Sequence, residues 1–489
     1  MKYKRMALAA CALLLLLSAT NLSAVLTDEH PRYHQHLERP AYTPCAEHDG
    51  ETLCSHLPLV LIDTGGTEIP GVPIQSGSSR EDDAFTTTAD GSTLLRASVS
   101  VVDHAEGNNH PADTPTLQSV IDIRVRGNSS RYFDKHSYLV KTLTDDGAAS
   151  HDVAMLGMDA FDEWALHGPY LDKTLIRNYM WYNLAGEIMD YAPNVRFCEV
   201  LLNGVYQGLY VMTETVSSGA DARLKLTEPS KDTVQTSYAL RLDRGSGNEV
   251  KNIETFSQYA LRNLQDMDIV YPGTKWLTPE RTAWIAQDFS DFEKSLYSYD
   301  YDTEPYAWWE QADMSSFVDY FILNEFTCNY DAGWLSTYIY RDVRGKYKMC
   351  IWDFNSACDN YSHPVTEPQH FELQYNVWYY MLSKDEDFMN AVIERYRALR
   401  QGVLSDAYLN GYMDAVVEWL GDAVERNFSV WGYALDKDMI SPAERNPHTH
   451  TEAVAQMKRF CTERGAWMDE HIDILRQYSH ESRNKKFNH

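Results

Sequence analysis

Positive charge is scarce in this sequence. Its 489 residues carry 43 lysines and arginines against 71 acids, a formal balance of −28, and no basic run interrupts the body of the chain. A nucleic-acid duplex repels such a surface, which excludes a general nucleic-acid binder. Cysteine is sparse as well, with eight in the chain and seven once Cys11 is set aside with the leader described below. An odd, thinly spread set is no disulfide framework, and none of the spacings is that of a zinc site. Cys45 and Cys54 form the one local pair that invites a disulfide. Neither the glycine-rich phosphate loop nor the lysine-bearing phosphate loop occurs, so a nucleotide site here would be an atypical one. Beyond the N-terminus, charge breaks every longer apolar stretch, and no internal repeat is found. Core material is not lacking: 44% apolar residues, with 12 tryptophans and 32 tyrosines, exclude wholesale disorder.

Lys2, Lys4 and Arg5 precede the apolar run Met6 to Leu17, and small and polar residues lead on to Ser23 and Ala24. This is the pattern of an export signal over residues 1–24, with a mature start near Val25. The uncharged stretch Met6 to Leu26 is also about long enough to act as an uncleaved membrane anchor. The expected location is therefore secreted or cell-surface, with membrane association where the segment is retained. Residues 25–57 read as a polar extension, and the folded body as 58–480.

That body is β-rich from about 58 to 245 and helical from about 250 to 480. Strand signals occur at Leu57 to Asp63, Leu94 to Val102, Val120 to Arg126 and Thr236 to Asp243. Asn203-Gly204 predicts a hairpin turn between Arg196 to Leu202 and Val205 to Thr213. Asp172 to Met189 has a helical stripe, with Asp172 as its cap and Arg177 as a partner for an acid across the core. Thr278-Pro279 opens another helix, and a short strand pair, Leu335 to Arg341 and Tyr347 to Trp352, lies among the helices. The pattern is α+β and suits a two-lobed enzyme with a cleft between its lobes.

Asp331 stands where the helix ending near Phe326 gives way to loop, and Asp353 follows directly on the last residue of the second strand of that pair. The hairpin can bring them together. Two such acids facing one cleft suit metal-assisted phosphoryl transfer, in which one accepts the proton of the attacking hydroxyl and the other holds magnesium. Asn355, two residues on, points to the same side as Asp353. Asp and Asn are also common where turns and strands end, so spacing alone leaves a purely structural reading open. Paired acids amid many aromatics also suit a carbohydrate-active site. Arg126 closes a strand ahead of Gly127, and an extended run starting by Lys135 puts Lys135 and Lys141 on one face, where they could hold phosphate. Glu214 ends a hairpin strand, either as a solvated strand end or as a hinge acid beside the cleft.

Taken together, Arg126-Gly127-Asn128-Ser129-Ser130, Lys135-His136-Ser137-Tyr138, Trp164-Ala165-Leu166, Tyr170-Leu171-Asp172-Lys173 with Arg177-Asn178, Asn203 to Tyr210 with Thr213-Glu214, Asp331, and Trp352-Asp353-Phe354-Asn355 resemble the spore-coat protein H kinases, usually called CotH kinases. The resemblance covers about residues 95–400. It implies a divergent protein-kinase-like fold that binds ATP with magnesium and phosphorylates exported or coat proteins, mainly on serine. On that basis Asp331 resembles the catalytic carboxylate, and Asp353 with Asn355 the metal site. Arg126, Lys135 or Lys141, and Glu214 then attend the nucleotide. Ser356-Ala357-Cys358-Asp359 departs from the family's run, which goes on to a glycine after Asn355. The departure keeps a second expectation in play: a weak or inactive kinase-like surface or coat assembly protein that binds nucleotide or a partner.

Overall fold

The computed structural model describes residues 32–45, 52–74, 84–219, 223–261, 265–361 and 369–487. The expected signal or anchor at 1–24 lies outside them, as does part of the polar extension. The chain divides between His34 and Gln35, and every element named here belongs to the second unit. Among the described residues no helix is long and apolar enough to cross a membrane.

Strands β1 (Leu59–Asp63), β2 (Leu95–Val102), β3 (Leu117–Arg126), β4 (Ser137–Leu143), β5 (Glu163–His167), β6 (Val195–Leu202) and β7 (Val205–Glu214) close into a barrel in the order β1-β2-β3-β4-β5-β7-β6. A mixed α and β chain is what the sequence predicts; closure of its first part is not. Parallel pairing of β6 with β1, Leu59 opposite Glu199, seals the barrel. Period-two alternation explains which side faces inward. On β3, Ile121, Ile123 and Val125 are buried while Asp122, Arg124 and Arg126 look outward. The interior is completed by Val60, Val99, Val140, Trp164 and Met212. Asn203 and Gly204 both take positive φ in the β6–β7 turn, as an Asn-Gly hairpin requires.

The remainder is built on a five-stranded antiparallel sheet surrounded by helices. With β8 (Tyr238–Asp243), β9 (Asn252–Ile253), β10 (Asp266–Tyr271), β11 (Thr337–Arg341) and β12 (Lys348–Cys350), its order is β9-β10-β8-β11-β12. The isolated pair expected at 335–352 is thus one edge of a larger sheet. Helix α1 (Arg177–Ile188) starts five residues later than its stripe suggests, because Leu175 takes φ 67° and breaks the helical run. Helix α2 (Pro279–Tyr297) begins as read, with Thr278 accepting from the Arg281 N–H. Helix α3 (Met314–Thr327) is capped by Asp313 and ended by left-handed Cys328. It is followed by α4 (Glu386–Arg400), α5 (Asp406–Leu420), α6 (Asp422–Trp431) and α7 (His450–His471).

Candidate active site

Sheet register gathers three acids at one end of the second sheet. Leu242 of β8 pairs with Thr337, the first residue of β11, so Asp243 emerges beside the turn that precedes β11. Asp331 lies in that turn, where its carbonyl accepts from the N–H groups of Trp334 and Leu335. Tyr338 pairs with Cys350 of β12, so the chain reaches Asp353 at the same end. The turn is tightly specified. Gly333 has φ +81°, and a Cβ there would lie 2.7 Å from the Cβ of Asn376, whose amide donates to the Ala332 carbonyl at 2.6 Å.

Among the described residues no hydrogen bond or ion pair engages the Asp331 carboxylate. Burial raises it above the ordinary carboxylate range, with Arg244 working the other way and Asp243 adding to the rise. Asp353 is pushed up to about 7, first by burial and then by the charge of Asp331, against the opposing pull of Arg126 and the Asn355 N–H. Two acids at one sheet end, the charge of one raising the other, form an oxygen donor set for a divalent ion, and carboxylate oxygens are the hard ligands that magnesium and manganese prefer. The residues present therefore fit such an ion.

Helix α1 holds the Asp353 loop from below. The Asp353 N–H donates to the Tyr182 hydroxyl at 3.0 Å, and the Phe354 N–H donates to the Asn178 side-chain oxygen at 2.8 Å. Arg177 donates to the carbonyls of Ala357 at 2.9 Å and Cys358 at 3.2 Å. These contacts fix Asp353 in a left-handed conformation, φ +59°, which a non-glycine residue adopts only when its surroundings impose it. Cys358 and Asp359 are left-handed too, and the Arg445 guanidinium grips the Asp359 carboxylate at 2.7 and 2.9 Å. Arg177 was expected to meet an acid across the core. Its acid is Asp172, five residues upstream, and both side chains are buried.

The cations divide differently from the sequence expectation. Arg126, at the end of β3, lies over the Trp352 ring at 5.7 Å and makes no ion pair among the described residues. Arg124 and Lys141 share its outward face, and Lys141 pairs with Glu163 of β5 at 2.9 Å. Burial pushes the Glu163 carboxyl up, but Lys141, Lys251 and Arg124 together outweigh it and hold the group below its usual value.

Lys135 corrects the expectation. It precedes β4 rather than extending it, so period-two parity does not apply, and its ammonium is buried between the Leu209 carbonyl at 2.6 Å and the Asn427 amide oxygen at 2.7 Å. It ties α6 to β7. Accordingly, Lys135→Met is expected to lower stability by roughly 1–3 kcal/mol, the cost of leaving buried acceptors unpaired. Urea-induced unfolding of the variant beside the wild type checks it.

Glu214 is not a solvated strand end. It is fully buried, and one carboxylate oxygen accepts from the Asn194 N–H at 2.9 Å. Asn355 follows Asp353 in a turn, so strand parity fails there as well, and its carbonyl accepts from the Asn360 amide at 2.7 Å. The expected Cys45–Cys54 disulfide is absent, since the two sulfurs stand 3.9 Å apart and both are free.

Sequence reading missed Asp243, Arg244 and Tyr182, and it named Asn128 and Asn178 in the family motifs without giving either a role. With its amide oxygen turned toward Arg244, Asn128 accepts from that guanidinium at 2.9 and 3.0 Å, joining the Gly127 turn to the acid cluster. That turn depends on Gly127, at φ +108°, because a Cβ would meet the Ser130 hydroxyl at 1.9 Å. The one available signal was Asp243-Arg244 at a strand end next to Gly245-Ser246-Gly247.

A family model described as CotH kinase protein matches residues 123–468, a stretch that contains every one of these acids and the Arg126 and Arg177 contacts. No curated protein matches the chain.

Proposed function

The chain belongs to the CotH kinase family, and from that premise we propose that it is an exported protein kinase that moves the γ-phosphoryl group of ATP to a serine hydroxyl of a secreted or coat protein. The observation that carries this reading is the gathering of Asp243, Asp331 and Asp353 at one sheet end, where the charge of Asp331 raises Asp353 and Arg126 of the barrel opposes that rise. In the same reading the barrel and the helical part are the two lobes of a divergent kinase-like fold.

Asp353, with Asp331 or Asn355, would hold magnesium. When bound, that ion neutralises phosphate charge. Asp331 accepts the proton of the serine hydroxyl, a task suited by a carboxyl whose basicity burial has raised. The serine oxygen forms its bond to the γ-phosphorus as the bond from phosphorus to the bridging oxygen breaks, and ADP leaves with that electron pair. Arg126, and Lys141 in preference to Lys135, offset charge on the phosphates. Helix α1 keeps Asp353 in place through Tyr182 and Asn178, so that positioning and electrostatics supply the catalysis.

Incubation with γ-labelled ATP, magnesium and a serine-rich acceptor tests the proposal. Asp331→Asn should transfer label about 10²–10⁴-fold more slowly than the wild type, the usual contribution of a positioned base. Equal transfer by both proteins would overturn it, and nucleotide binding with no transfer by either would favour an assembly protein that keeps the fold without turnover.

A further inference from the structure

Cys45, Cys54 and His110 place their ligand atoms within 4.8 Å of one another, and none of the three takes part in the Asp331 site. We propose that they form a zinc site that pins the polar extension to the barrel.

The spacing suits the metal. Tetrahedral zinc, with Zn–S about 2.3 Å and Zn–N about 2.0 Å, sets its ligands about 3.8 Å apart for two sulfurs and about 3.5 Å apart for sulfur and nitrogen. Here Cys45 Sγ lies 3.9 Å from Cys54 Sγ and 3.4 Å from His110 Nε2. A disulfide would need the sulfurs at about 2.05 Å.

The site is also built in advance. Backbone hydrogen bonds between Ser55 and Asn109, at 2.6 and 3.1 Å, clamp the segment carrying Cys54 to the β2–β3 connection carrying His110. The other ring nitrogen of His110, Nδ1, faces the Asp113 carboxylate at 3.2 Å. That is the carboxylate–histidine arrangement that presents Nε2 to a metal. Thiolate and imidazole select zinc over magnesium, so this site and the oxygen-lined acid cluster take different ions. Binding displaces the two thiol protons, and three protein ligands leave the fourth position to water.

The full chain, reduced and stripped with chelator, is titrated with Co²⁺ and then Zn²⁺. One equivalent of cobalt should produce a thiolate-to-cobalt charge-transfer band that zinc abolishes. Cobalt held by the acid cluster would give no such band. Cys45→Ser and Cys54→Ser should each remove the band, and Asp113→Asn should weaken binding about 10–100-fold. Zinc should raise the thermal midpoint of the wild type but not of Cys54→Ser. Absence of the band in protein whose Cys45 and Cys54 thiols are shown to be free would overturn the proposal. So would a Cys45–Cys54 disulfide peptide recovered from protein kept in zinc throughout.

Discussion

Asp353→Asn is expected to transfer phosphate about 10³-fold more slowly than the wild type, about 4 kcal/mol in the barrier, while remaining folded. The amide keeps the shape of the side chain but loses the charge on which the cation site depends. Its effect on stability runs the other way. Burial, and after it the charge of Asp331, disfavour the charged form and push the folded Asp353 carboxyl up from its ordinary 3.8 to about 7. Its favourable contribution to folding is therefore complete below about 4 and is lost as pH rises through about 7. In metal-free buffer at pH 8, Asp353→Asn should melt no lower than the wild type, and higher where that repulsion is fully expressed. Melting curves at pH 5 and pH 8, set beside label transfer, check both halves. A variant that loses activity only because it unfolds would contradict the role given to Asp353.

The second large effect is expected at Arg177. Its guanidinium and the Asp172 carboxylate are about 2% and 3% exposed, so truncating the arginine strands a buried charge. Arg177→Met should cost about 3–5 kcal/mol in urea-induced unfolding, the range found when one partner of a buried pair is removed. It also frees the carbonyls of Ala357 and Cys358, and with them the loop that carries Asp353. Arg177→Lys keeps the charge but not the planar fork, so it should recover part of the stability and little of the transfer activity. Equal stability of Arg177→Met and wild type would show that the Asp172 pair does not anchor this loop.

Local patterns carried the sequence reading wherever a short-range rule governed the structure. The β3 alternation, the Asn203-Gly204 hairpin, the Thr278-Pro279 helix start and the approach of Asp331 to Asp353 through a short strand pair all follow from periods and turn chemistry. Barrel closure was not legible, because the β1–β6 pairing joins segments about 140 residues apart and leaves no local signature. Lys135 was misplaced for a related reason. Parity arguments hold only inside a strand, and the strand begins at Ser137. Tyr182 reads as an ordinary helix position and Asn178 as a motif residue without a role, and only the fold shows that they meet the Asp353 loop. Asp243 reads as a strand end until the β8–β11 register sets it beside the Asp331 turn.

In the proposed reading, Asp331 and Asp353 serve one divalent cation. Manganese binding to the nucleotide-free protein, followed by electron paramagnetic resonance, decides it. Wild-type protein should take up manganese tightly enough to broaden the free-ion signal at equimolar concentration, and Asp353→Asn should leave that signal at full height. Equal uptake by the two folded proteins would contradict it.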